Sequence, residues 1–283
     1  MINLNDYNPL APKTRGQKYC ESKIIKITRG ETGTLEIIDK DVFDSALWPL
    51  VHYLKDATCW CDRVVLKRCG FTTGGFLYLA QVFSSNSSVK CFKYIENKIG
   101  EALPTDNADL YDNMQKVGEY VVWGSDGMSR FSEALKVNTA MTTLHLQDNN
   151  IGNMGTFAIA DALETNSTLT SLTIASNKVG DNGAKRLSDI LTKNKSLKKL
   201  DLDDNNISDT GVASLLEAIK EGDVIQELGL RSNRITEEGA EILTKFVQEY
   251  ATIEVLNLAR NSLKDHGASM IAEGLKKNTT LTD

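Results

Sequence analysis

Histidine is scarce in this chain: His52, His145 and His266 are the only three in 283 residues. None has a metal-ligand neighbour at a recognised spacing, so neither a metal site nor imidazole-based catalysis is expected. Basic residues are also in the minority, with 32 lysines and arginines against 38 acids and a net charge of −6. The sequence thus lacks the positive footprint that neutralising phosphates requires, which argues against nucleic acid as a ligand. No uninterrupted apolar stretch is long enough to cross a bilayer, and the first residues lack the basic start and apolar run of a signal peptide. The expectation is a cytoplasmic protein that does not engage a membrane. Five cysteines, Cys20, Cys59, Cys61, Cys69 and Cys91, are odd in number and confined to the first third, unlike a disulfide framework, and are read as free thiols. Cys59-Trp60-Cys61 has no second cysteine pair to complete a zinc site, and Gly74-Gly75 lacks the lysine of a phosphate loop. No nucleophile–base pair can be assembled, so no catalytic residue, cofactor or small-molecule substrate is assigned.

What the chain does have is a period. Segments beginning at Met141, Leu169, Leu197, Ile225 and Ile253 follow one another at 28 residues, and a sixth opens at Leu281. Each reads L-x-x-L-x-L-x-x-N-x-I/V/L, then a glycine, then apolar residues at helical spacing, which describes a strand, a turn and a helix. The asparagines form a column at Asn149, Asn177, Asn205, Asn233 and Asn261, and the glycines another at Gly155, Gly183, Gly211, Gly239 and Gly267. The same frame continues upstream in degenerate form, with units expected at Cys61, Val89 and Val117. The step from Val117 to Met141 is 24 residues, so that unit is read as missing four residues from its strand-to-helix turn.

These motifs resemble the leucine-rich repeats of the ribonuclease-inhibitor type over roughly 61–283. The resemblance implies an α/β solenoid, a curved horseshoe with parallel strands on the concave face and helices on the convex face. The physics agrees, because a single strand–turn–helix cannot bury its own apolar face and must stack on neighbours through right-handed crossovers. The asparagine column is read as structural, satisfying backbone groups in the turns. Residues 1–60 are read as an irregular leader (1–30) and an N-terminal cap (31–60), the latter with a strand at 34–38 and an apolar helix over 42–54. The far end, where Leu281 opens a repeat, is expected to need a further cap or other cover. Asn86, Asn166, Asn206 and Asn278 match the glycosylation sequon, but each arises from repeat chemistry and modification is not expected.

With catalysis set aside, the outward strand positions are the place to look for function. They give a basic patch at Arg63, Lys67 and Arg68, an apolar patch at Ile95, Val121 and Trp123, and an acidic patch at Asp148, Asp201, Asp203 and Asp204. His145 and Arg231 fall on the same face. A tryptophan turned outward beside aliphatics makes an interface anchor, and like charges so close are unfavourable unless something else is served. The partner-binding residues expected are therefore Ile95, Val121, Trp123, His145, Asp148, Asp201, Asp203, Asp204 and Arg231. The reading is a non-catalytic module that binds a protein partner. Proteins similar to it occur as cytosolic regulators and as effectors that intracellular bacteria deliver into host cytosol, and the resemblance allows both settings. The alternative it allows is a GTPase-activating-like regulator, with Asn150, Asn206 or Arg234 on a strand-to-helix loop.

Overall fold

A computed structural model describes residues 14–40, 42, 44, 47–56, 59–97, 99, 126–250 and 252–282. Its framework is one sheet of eight parallel strands in sequence order: β1 (Thr34–Ile38), β2 (Arg63–Lys67), β3 (Cys91–Ile95), β4 (Thr143–His145), β5 (Ser171–Thr173), β6 (Lys199–Asp201), β7 (Glu227–Gly229) and β8 (Val255–Asn257). From β4 onward each strand residue pairs with the one 28 positions later, as in Leu144↔Leu172 and Leu172↔Leu200. Those leucines are at most 1% exposed while their strand neighbours Thr143, His145, Ser171 and Thr173 are half-buried. That is the two-residue alternation of a sheet with one packed and one open face.

The packed face meets a layer of helices: α2 (Trp48–Lys55), α3 (Thr73–Phe83), α4 (Asp126–Val137), α5 (Gly152–Leu163), α6 (Asp181–Leu191), α7 (Asp209–Gly222), α8 (Glu237–Glu249) and α9 (Lys264–Leu275). One residue past the five-residue strands β1–β3, and three past the three-residue strands β4–β8, the chain turns sharply. Asp39, Arg68, Glu96, Asp148, Ser176, Asp204, Ser232 and Arg260 all adopt φ between 50° and 58°, in the left-handed region.

Three side-chain ladders hold consecutive turns together. In the first, Asn177 donates its amide to Leu146 O (2.8 Å) and Ala175 O, and its Oδ1 accepts from the N–H groups of Asn149 and Ile151. Asn97, Asn149, Asn205, Asn233 and Asn261 repeat the pattern. Cys69 stands in for an asparagine at the start of this column, its thiol donating to Ile37 O at 3.2 Å. The second ladder runs along the helix-to-strand loops, where Asn86, Asn138, Asn166, Asn194 and Asn278 donate to carbonyls of the preceding unit. The sequon residues Asn86 and Asn166 are buried there, which gives their recurrence a structural reason. The third ladder caps helices: Asp181 accepts from Ser208 N–H (2.7 Å) and Oγ, and Asp209 does the same for Thr236. Gly211 is required by this arrangement, since a Cβ there would stand 2.7 Å from Ile207 Cγ2 and 2.5 Å from Asp181 Oδ1.

Two expectations about the N-terminal residues are corrected by the fold. The leader read as irregular contains a four-turn helix, α1 (Arg15–Thr28), opened by a capping box in which Thr14 Oγ1 accepts from Gln17 N–H and Gln17 Oε1 accepts from Thr14 N–H. Its Cys20 and Ile27 are buried, closing the first end of the core, so the covering element is α1. The segment read as a cap is instead a repeat unit, β1 pairing with β2 in a step of 29 residues.

The unit expected to begin at Val117 supplies no strand between its neighbours. Cys91 of β3 pairs directly with Thr143 of β4, 52 residues on, and Asn97 N–H donates to Asn149 Oδ1 at 3.1 Å. Strands in a ladder lie about 4.8 Å apart, which leaves no space for another between them. Helix α4, packed between α3 and α5, is therefore the helix of the β3 unit, and the residues of the expected Val117 unit up to 125 lie outside the described residues. Around this unit six aromatics, Phe71, Phe76, Phe83, Phe92, Tyr94 and Phe131, replace leucines and pack with ring centroids 4.6–6.2 Å apart.

At the other end, Leu256, Leu258 and Ile271 are only partly buried and Leu275 is 42% exposed. Thr282 N–H donates to Glu254 O at 2.8 Å, the same bond that Glu254 N–H makes to Gln226 O.

Candidate functional site

The open face of the sheet carries the outward residues of each strand and of the short extension after it. At its first end the expected basic patch is neutralised. Lys67 pairs with Glu96 at 2.7 Å, and Arg68 bridges Glu96 and Asp39. Both carboxylates are held below their ordinary values, chiefly by the hydrogen bond from Arg68 at Asp39 and from Lys67 at Glu96. Arg63 remains exposed.

Of the expected apolar patch, Ile95 alone is among the described residues. Ile95 is only 8% exposed, because the register sets it beside Lys67 and one strand from Gln147, whose long side chains flank its row. Val121 and Trp123 lie outside the described residues. His145 is half-buried, its Nε2 3.2 Å from Gln147 Oε1, and burial holds its imidazole below the ordinary histidine value, with Lys93 and Lys67 pushing the same way and Asp201 opposing. Asp148 is exposed in its left-handed turn.

Of the acidic patch, Asp201, Asp203 and Asp204 assemble, more tightly than their spacing suggests, while Asp148 stands apart. Asp203 N–H donates to Asp201 Oδ1 at 3.0 Å, so the end of β6 folds its own two carboxylates together. Asp203 then reaches sideways across β7: its Oδ1 accepts from Arg231 N–H at 2.8 Å and its Oδ2 from Asn257 Nδ2 on β8 at 3.2 Å. Asp204 stands exposed beside it, its N–H bonded to Arg231 O. Beneath the pair lies Gly229, where a Cβ would approach Asp203 Oδ1 to 2.7 Å and Asp201 Oδ1 to 2.8 Å. Partial burial, helped by the charges of Asp201 and Asp204, raises the Asp203 pKa to about 6, although the Arg231 N–H bond works against it. Arg231 Nε is buried without a hydrogen-bond partner among the described residues.

The structure thus brings Asp201, Asp203, Asp204 and Arg231 together, places His145 two strands away, and leaves Ile95 and Asp148 apart from them. Gly229 and Asn257 complete the cluster and were not among the residues expected. The signal for Gly229 was a glycine at an outward strand position, which marks a close approach. Among the described residues no group of three histidine, cysteine or acidic side chains is arranged to hold a metal. Burial pushes the Cys61 thiol up to about 11 and the Cys20 thiol up to about 12, far from reactive thiolates.

The 28-residue register from β4 onward, the parallel sheet and the asparagine column are joined by a match to the Leucine Rich repeat family model over residues 137–160, 165–188, 193–216 and 251–272. The chain is a leucine-rich-repeat protein. No curated protein matches it. Among solved structures, this leucine-rich-repeat protein is similar to leiomodin-1 actin-binding site 2, with 18% identity and a TM-score of 0.45 over 52% of this chain and 86% of that one. It is also similar to the C-terminal domain of tropomodulin from Caenorhabditis elegans, with 14% identity and a TM-score of 0.40 over 47% of this chain and 81% of that one. No described helix of the leucine-rich-repeat protein is long and apolar enough to cross a membrane.

Proposed function

We propose that this leucine-rich-repeat protein is a non-catalytic binding module that docks a protein partner on the open face of its sheet, with Asp201, Asp203 and Asp204 receiving a basic segment of that partner. The observation that carries the proposal is the crowding of two carboxylates over Gly229. Like charges so placed disfavour the free protein, and a lysine or arginine laid across them relieves the repulsion on binding. Arg231 and Asn257, fixed beside the carboxylates, leave the arriving cation a small number of orientations. His145, at the same level of the sheet, extends the face toward β4.

The test is a comparison of partners captured by proximity labelling or pull-down with the wild type and with Asp201, Asp203 and Asp204 all changed to alanine. The expected result is loss of a discrete set of partners. An unchanged partner list from a triple mutant that retains its far-UV circular dichroism would remove the open-face reading.

The GTPase-regulating alternative gains no support from the loops. Arg234, its only cationic candidate, donates to Asn206 Oδ1 at 2.8 Å and ties the two loop residues to each other.

A further inference from the structure

The sheet has an open first edge. In a parallel ladder alternate residues turn their N–H and C=O groups to opposite sides, and Gly33 O, Leu35, Ile37 and Asp39 N–H serve β2. Thr34, Glu36 and Ile38 consequently point theirs away from the sheet. Thr34 N–H is taken by Thr32 Oγ1 at 3.0 Å, whereas the main-chain groups of Glu36 and Ile38 have no partner among the described residues. Such a row is a template for another strand.

Beside this edge lies a cleft of about 250 Å³ between β1 and α1, lined by Lys23, Lys26, Thr32, Thr34 and Glu36. The two lysines are one helical turn apart and neither forms an ion pair with a described residue; Lys23 lies 5.4 Å from the Tyr19 ring centroid. Two ammonium groups against one carboxylate leave the cleft positive. Ile38, 40% exposed, ends the same strand two residues beyond Glu36.

We propose that this cleft binds an extended acidic segment of a partner protein, which adds to β1 as a further strand of the sheet. Main-chain bonds to Glu36 and Ile38 supply the register, and carboxylates on alternate residues of the ligand meet Lys23 and Lys26. The occupant is a partner and not this chain's own residues 1–13, because that segment carries a single acid, Asp6, balanced by Lys13, and its Pro9 and Pro12 have no N–H to give. The inference is independent of the carboxylate face and stands at the opposite end of the array.

The test uses the full chain and a labelled octapeptide alternating glutamate with valine, read by fluorescence polarisation, with a lysine–valine octapeptide as control. Binding is expected for the acidic probe alone. Lys23→Glu combined with Lys26→Glu is expected to weaken it about tenfold or more, as loss of two rim charges implies. Glu36→Pro removes an outward N–H without touching a bond to β2, and is expected to weaken the probe by about tenfold as well. On hydrogen exchange, the amides of Glu36 and Ile38 are expected to slow when the probe is added, a readout that holds even if the proline variant fails to fold. Equal binding of both peptides, unaltered binding to Glu36→Pro, or unaltered exchange at Glu36 and Ile38 would each overturn the proposal. So would strong probe binding that appears only after deletion of residues 1–13, since the cleft would then be the seat of the chain's own leader.

Discussion

Gly229 lies beneath Asp203, close enough that a single added methyl would stand 2.7 Å from the carboxylate oxygen. The contact explains why β7 carries no side chain at its outward position. Alanine there must push both Asp203 and Asp201 aside, breaking the bond from Arg231 N–H or that from Asn257 Nδ2. Gly229→Ala is expected to destabilise the fold by about 1–2 kcal/mol, in the range of overpacked sites, instead of stabilising it as glycine replacement in a strand ordinarily does. Urea unfolding of the two proteins measures the difference, and an alanine variant more stable than the wild type would show that the carboxylates move freely.

The same burial makes stability depend on pH in an unusual direction. Asp203 holds its proton up to about pH 6 in the folded protein, against about 3.9 in an unfolded chain. A group whose folded value is raised lends stability that is complete below the unfolded value and is lost as pH climbs through the folded one. Asp203 therefore favours folding below about pH 4, and that contribution disappears between about pH 4 and 6. Asp203→Asn removes the titration, so its stability relative to the wild type is expected to rise across that interval and level off above it. Denaturation midpoints of both proteins at pH 4, 5, 6 and 7 decide the matter: parallel curves would mean that Asp203 titrates like an exposed acid.

Asn149 and Cys69 occupy one column but bear different loads. Asn149 donates to Tyr94 O and Gln147 O and accepts from Asn97 N–H, three bonds at a fully buried site that spans the 52-residue step. Asn149→Ala leaves Tyr94 O and Asn97 N–H without that partner, while Gln147 O keeps its bond from Glu96 N–H, and is expected to cost about 2–4 kcal/mol. Cys69 offers one weak S–H donor to Ile37 O and Lys67 O. Cys69→Ala should cost about 1 kcal/mol or less, and Cys69→Asn, which restores the motif, should be neutral or stabilising. Thermal unfolding of the three variants ranks them, and an Asn149→Ala cost no larger than that of Cys69→Ala would deny the ladder its role.

How far the sequence disclosed all this differs from residue to residue. Leu144, Leu172, Leu200 and Leu228 were legible because an apolar residue every 28 positions, flanked by polar neighbours, can satisfy only one strand register. Helix α1 announced itself in Thr14-x-x-Gln17, a capping-box signature overshadowed by Gly16 and the nearby prolines. The false unit at Val117 shows the opposite failure: three apolar residues at repeat spacing are too few to fix a strand, and the pairing of Cys91 with Thr143 is a long-range fact that no local pattern carries. For the site, the charges of Asp201, Asp203 and Asp204 could be read, but the neutralisation of Lys67 and Arg68 by Glu96 and Asp39 depends on turn geometry, where left-handed residues redirect side chains that a simple alternation sends outward.

In a linear array each unit draws its stability from its immediate neighbours, so equivalent residues should differ in worth according to whether both neighbours are present. Leu172 and Leu256 occupy the same strand position, yet Leu172 is fully buried between β4 and β6 while Leu256 is only partly covered, with Leu258 and Ile271 beside it in the same state. Truncating Leu172 removes contacts on both sides and leaves a cavity, for about 3 kcal/mol; truncating Leu256 opens a site that water already reaches, for about 1 kcal/mol. The difference should also appear without mutation, as faster amide exchange in β8 than in β5, because opening the last unit breaks one interface where opening a central one breaks two. Equal costs for Leu172→Ala and Leu256→Ala, with equal exchange in the two strands, would mean that the array unfolds as one block and that nearest-neighbour coupling does not govern its end.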